Sequence, residues 1–152
     1  MDKCVLAYSG GLDTSVAVQW IAEKYGVEII AVAVDVGEEK NYEAIRQKAL
    51  QVGAVESIVV DARQEFFDEY LTRAIAANLM YEGRYPAFTA LARPLLAKKQ
   101  AEIALERGAK YLAHGCTGKG NDQVRFEVTY AALAPGTAVI APAREWGMTR
   151  EQ

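Results

Sequence analysis

A short apolar run, Cys4-Val5-Leu6-Ala7, leads into a turn of small and hydroxyl residues, Ser9-Gly10-Gly11-Leu12-Asp13-Thr14-Ser15. Apolar residues at helical spacing follow at Val16, Ala17, Trp20 and Ile21. The run has the character of a buried strand and the later spacing that of one helix face. A strand that feeds a helix through a tight turn opens a βα unit, and this restricts the chain to folds built from such units. The turn aims free backbone N–H groups and the positive end of a helix dipole at one point, which favours an anion and above all a phosphate. Gly10 and Gly11 have no Cβ to hold that anion away, and Ser9, Thr14 and Ser15 add hydroxyl donors. Neither G-x-x-x-x-G-K-[ST] nor G-x-G-x-x-G is present. The plain alternative is an ordinary βα turn in which two glycines supply tightness.

Strand and helix patterns then alternate. Gly26 suits a helix C-cap, and Glu28-Ile-Ile-Ala-Val-Ala-Val34 reads as a second strand, apolar as a parallel strand covered on both faces must be. A helix is expected from about Asn41 to Val52 and a third strand over Ser57–Val60. Asp61 and Gln64 stand as in a capping box ahead of Phe66, Phe67, Tyr70, Leu71, Ala74 and Ile75 on a helix face. The aromatic stretch Tyr81 to Thr89, with Gly83 and Pro86, reads as a loop. A helix follows from about Ala90 to Arg107, with Pro94 near its start and Gly108 past its end. Lys110–His114 is the fourth strand, and Gly115 to Asp122 is a second glycine-rich turn, with a cap expected at Asn121 or Asp122. Gln123 to Leu133 is helical, with Phe126, Tyr130 and Leu133 on one face, and Thr137–Ile140 is the fifth strand.

This order predicts an α/β fold: a doubly wound, five-stranded parallel sheet, Rossmann-like, with right-handed crossovers. In the strand order 3-2-1-4-5, strands one and four are neighbours at the switch point. Both glycine-rich turns then face one crevice at the carboxyl ends of the strands.

With 152 residues, the chain has room for one domain with a real core and hardly for two. A hydrophobic content of 51% beside 24% charged residues suits a soluble globular protein. A net charge of −3 argues against a nucleic-acid binder driven by bulk electrostatics, and no apolar run approaches membrane-spanning length. Cys4 and Cys116 match no metal-ligand or redox spacing and read as reduced thiols of a cytoplasmic protein. No metal site is expected from side chains alone. His114 ends a strand without a partner at ligand or base spacing and reads as structural.

Ser9 to Ser15 resembles the SGGxD[ST]S loop of the ATP-pyrophosphatase, or PP-loop, superfamily, which holds the β- and γ-phosphates of ATP while the α-phosphate is attacked. His114-Gly-Cys-Thr-Gly-Lys-Gly-Asn-Asp-Gln-Val-Arg-Phe-Glu127 resembles a long, specific segment of the argininosuccinate synthase family. Tyr81–Tyr85, Leu91–Pro94 and Glu145-Trp146 agree with it, and the resemblance runs from Met1 to Gln152. It implies a sheet of the adenine nucleotide alpha hydrolase type. It also implies a ligase that joins citrulline to aspartate through a citrulline-adenylate, using ATP with Mg²⁺ and releasing AMP and pyrophosphate. By position it implies ATP contacts at Ala7, Tyr8, Ser9, Gly10, Gly11, Leu12, Asp13, Thr14, Ser15, Ala33 and Gly115. Citrulline contacts fall on Tyr85, Asn121 and Arg125, and aspartate contacts on Thr117, Asn121 and Asp122. Asp13 and Asp122 are expected to position rather than to react. Ala90 stands where some members place a serine against citrulline.

The family carries a second, synthetase domain and a C-terminal oligomerisation arm, so the full-length protein is expected to be a homo-oligomer. Thr149-Arg150-Glu151-Gln152 is a capping-box pattern with no helix behind it, as in a piece of a longer chain. Such a piece is expected to bind ATP without full turnover and to self-associate. Two other readings compete, another PP-loop ATP pyrophosphatase and a non-catalytic nucleotide-binding module.

Overall fold

The computed structural model describes residues 1–146; the capping-box pattern at 149–152 lies outside them. Five parallel strands form one sheet in the order β3-β2-β1-β4-β5. They are β1 (Lys3–Ala7), β2 (Glu28–Asp35), β3 (Glu56–Asp61), β4 (Tyr111–Ala113) and β5 (Ala138–Ile140). The main helices between them are α1 (Leu12–Tyr25), α2 (Tyr42–Gln51), α5 (Phe88–Arg107) and α6 (Asp122–Leu133). Short helical pieces complete the chain: α3 (Arg63–Glu65), a π-helical turn (Phe66–Leu71), α4 (Thr72–Ala76) and α7 (Pro142–Glu145).

The period-two geometry of a strand explains why β1 and β2 are apolar on both faces. Cys4, Leu6, Ile29 and Ala31 pack on one side with Ala17, Val18, Ile21 and Ala49 of α1 and α2. Val5, Ile30 and Val32 pack on the other with Ala97, Ala101, Phe126 and Tyr130 of α5 and α6. In register, Cys4 pairs with Ile29 on one flank and with Tyr111 on the other. A third cluster, Val36, Ala62, Phe66, Ala92 and Leu95, closes the fold beyond the carboxyl ends of β2 and β3.

Several local expectations are corrected. Val16 is about half exposed, and Val18 takes its place in the core, because the buried stripe of α1 runs through Thr14, Ala17, Val18 and Ile21. The capping box at Asp61 and Gln64 does not form. Asp61 instead accepts the Arg63 N–H at 3.1 Å and its guanidinium at 2.6–2.9 Å, while Gln64 donates to Asp68. The π-helical turn then shifts the face, so Phe66 is buried while Phe67 and Ile75 point to solvent. Leu133 is also exposed, as the last residue of α6. The cap expected at Asn121 or Asp122 is not made by a side chain: Asn121 sits at the N-cap of α6 with its backbone already helical. α5 begins at Phe88, two residues before the expected start, so Pro94 lies two residues deeper inside it.

Candidate functional site

The carboxyl ends of β1, β2 and β4 open into a cleft of about 240 Å³. Its walls come from the first glycine-rich turn, the end of β2, the second glycine-rich turn and α5. This is the crevice that the strand order requires.

The first turn is built from within. Ser15 N–H donates to Gly11 C=O at 3.1 Å, which leaves the amides of Leu12, Asp13 and Thr14 ahead of the first helical bond. The hydroxyls are partly committed. Ser15 Oγ donates to Gly11 C=O at 2.8 Å and lies 2.9 Å from Tyr8 Oη, and Ser9 Oγ lies 3.2 Å from Thr14 Oγ1. Gly10 has φ +79°, and a Cβ there would stand 2.9 Å from Ile45 Cγ1 of α2. Lys48 Nζ, one turn along α2, donates to Gly10 C=O at 2.7 Å. The loop is therefore clamped from outside by α2, which no sequence spacing announces.

Ala7, Tyr8, Ser9, Gly11, Asp13, Thr14, Ala33 and Gly115 all line the cleft. Gly10 and Ser15 support it from behind, and Leu12 points away, largely exposed. Tyr42, which the sequence reading did not single out, also lines the cleft. Its buried hydroxyl has no hydrogen-bond partner among the described residues. Burial and then the nearby Asp35 carboxylate push that phenol up to about 12.

The second turn faces the first: a Cβ on Gly115 would lie 3.2 Å from Thr14 Cγ2. At its far end Asp122 accepts from Arg125 Nη1 at 2.8 Å and from Arg93 Nε at 3.2 Å. Arg93 on α5 lines the cleft and was missed, because its role depends on α5 crossing beside α6 rather than on any local motif. Burial, followed by the Asp122 carboxylate, pushes the Cys116 thiol up to about 11, so it is a neutral thiol in the cleft wall at neutral pH. Thr117, Asn121 and Arg125 stand on the turn and the first turn of α6, beside the cleft rather than in its lining. Tyr85 is about half exposed and outside the lining, but its hydroxyl donates to Thr89 Oγ1 at 3.2 Å, and Thr89 is in the wall. Ala90 begins the second residue pair of α5 and offers no polar group. No three His, Cys, Asp or Glu side chains converge as a metal site among the described residues. None of the described helices is long and apolar enough to cross a membrane.

The sequence profile described as "Arginosuccinate synthase N-terminal HUP domain" matches residues 3–152. An argininosuccinate synthase from Dehalococcoides mccartyi is 63% identical over 99% of this chain, and one from Oceanobacillus iheyensis is 57% identical over the same share. The chain spans 37% and 36% of those relatives' lengths. Among solved structures, a protein described as a predicted subunit of tRNA methyltransferase from Methanocaldococcus jannaschii superposes with a TM-score of 0.66 at 15% identity. That superposition covers 99% of this chain and 73% of the other, and it speaks to the fold alone. A profile match over nearly the whole chain, together with relatives this similar, shows that the chain belongs to the argininosuccinate synthase family.

Proposed function

We propose that this chain is the nucleotide-binding domain of an argininosuccinate synthase. The complete protein would join citrulline to aspartate with cleavage of ATP to AMP and pyrophosphate, in the cytoplasm. The observation that carries the reading is the convergence of both glycine-rich turns on one cleft at the ends of β1 and β4. The amides of Leu12 to Thr14 and the dipole of α1 suit the terminal phosphates. The apolar end of β2 at Ala33 and Val34 suits a base, and the unpartnered Tyr42 hydroxyl offers a polar atom near it. Mg²⁺ would arrive with the phosphates, as it commonly binds through them and one or two carboxylates, and Asp13 is the carboxylate at the turn.

The chemical problem is that a neutral ureido carbon is a poor electrophile. Adenylation of its oxygen supplies a leaving group that the aspartate amine then displaces. The chain's part is orientation and charge stabilisation. Thr117 and Asn121 offer donors for a carboxylate, and Arg125 offers a cation beside the citrulline position. Asp122, held by Arg93 and Arg125, would have to exchange a guanidinium for the aspartate ammonium.

The chain on its own is proposed to bind ATP without turnover, since it spans little more than a third of its relatives and lost orientation can cost roughly 7–11 kcal/mol of barrier lowering. The test is to incubate it with ATP, Mg²⁺, citrulline and aspartate and to measure AMP beside a full-length relative. The expected AMP signal is at background while calorimetry shows ATP bound. AMP formed at the relative's rate would overturn the fragment reading, and no ATP bound would overturn the nucleotide reading.

A further inference from the structure

We propose that His114 is a positioning residue that fixes the second glycine-rich turn opposite the first, as the end of a relay running from Arg144 through Glu127 to the Cys116 amide. The proposal rests on the nucleotide reading only for its consequence on ATP binding.

His114 is fully buried at the end of β4, stacked on Phe126 with ring centroids 5.6 Å apart. Its Nδ1 accepts the Cys116 N–H at 3.3 Å. The ring proton therefore sits on Nε2, which lies 3.1 Å from Glu127 Oε1 and donates to it. The same oxygen accepts from Arg144 Nη1 at 2.6 Å, and the stem of Arg144 lies against Gly118, where a Cβ would come within 3.3 Å of Cγ. The first half of the turn is thus gripped twice, at Cys116 by the imidazole and at Gly118 by the arginine stem. Between these grips lies Thr117, and just before them Gly115 packs on Thr14 of the phosphate turn.

The charged and titratable groups facing the ring are Glu127 and Tyr130 from α6, Arg144 from α7 and the Cys116 thiol from the turn. Burial holds the ring neutral against the pull of Glu127, so its pKa lies below the ordinary histidine value. Protonation would place a hydrogen on Nδ1 and remove the acceptor for the Cys116 amide.

Two variants separate positioning from packing. In His114→Asn the amide oxygen takes the place of Nδ1, and in His114→Gln the amide nitrogen takes the place of Nε2 but leaves the Cys116 N–H without an acceptor. Amide exchange of Cys116 and Thr117 in the ligand-free chain should stay slow in the Asn variant and quicken in the Gln variant. ATP affinity by calorimetry should hold within about threefold in Asn and fall about tenfold in Gln, a difference on the scale of one hydrogen bond. A two-bond imidazole ¹⁵N spectrum of the unsubstituted chain should show the Nε2–H tautomer persisting below about pH 6.5. An Nδ1–H tautomer in the unsubstituted chain would overturn the proposal whether or not the variants fold, and so would equal exchange in two folded variants. If the unsubstituted chain bound no ATP, the nucleotide reading would fall while the exchange and tautomer results still decided the positioning role.

Discussion

At the scale of single residues, Gly10 is held in place by two features the sequence does not advertise. Its left-handed φ and the nearness of Ile45 make it the tighter of the two glycines, since a Cβ on Gly11 meets only Ser9 Oγ at 3.3 Å. Gly10→Val should therefore cost stability as well as binding, with overpacking alone worth about 1–3 kcal/mol. Gly11→Val should lose ATP binding while melting nearly as the unsubstituted chain does. Thermal melts and calorimetry on the pair separate the two effects, and equal melting of both variants would contradict this account. Lys48→Met should leave the fold intact, because Lys48 is exposed, but loosen the loop through the lost bond to Gly10 C=O. A several-fold weaker ATP affinity is expected, roughly the 1 kcal/mol of one hydrogen bond. Unchanged affinity would show that α2 does not brace the loop.

At the scale of elements, the linked group at the β4–α6 junction gives stability a definite pH dependence. His114 has a folded pKa below its unfolded value, so on acidification the unfolded chain takes up the proton first. Its contribution is complete above about pH 6.5 and declines as pH falls below that. Glu127 is also held below the usual carboxylate range; burial opposes this, and hydrogen bonds from His114 and Arg144 outweigh it. Its contribution declines at lower pH, below about 4.5. Denaturant midpoints between neutral and mildly acid pH should fall, and the fall should be smaller in His114→Asn; a flat profile above pH 5.5 or so would contradict the assignment of a depressed His114 pKa. The elements themselves were legible where apolar runs are long, as in β1 and β2, and where a glycine terminates a helix, as at Gly26 with φ +63°. They were less legible between Asp61 and Phe88. There a π-helical turn resets the face between Phe66 and Phe67, and α5 starts from Ala87 in a left-handed backbone that periodicity does not signal. Asp61 misled because a carboxylate at a strand end can be taken by the next guanidinium instead of a helix amide.

At the scale of the molecule, the two turns lie about a hundred residues apart, and only the sheet order brings them together. The repeated strand–helix alternation made that order legible. The side-chain braces were not, because Lys48, Arg93 and Arg144 each act across a boundary between elements whose packing angles no local pattern fixes. On the proposed reading one ligand, ATP, touches both turns at once. The most direct measurement is a titration of the isotopically labelled chain with ATP and Mg²⁺, followed by backbone amide NMR. The amides of residues 9–14 and 115–117 should shift together along one binding curve, while those of a separate groove, lined by Leu71, Ile75, Leu79, Phe88 and Leu91, stay unmoved. Shifts confined to one turn, or centred on that groove, would contradict it.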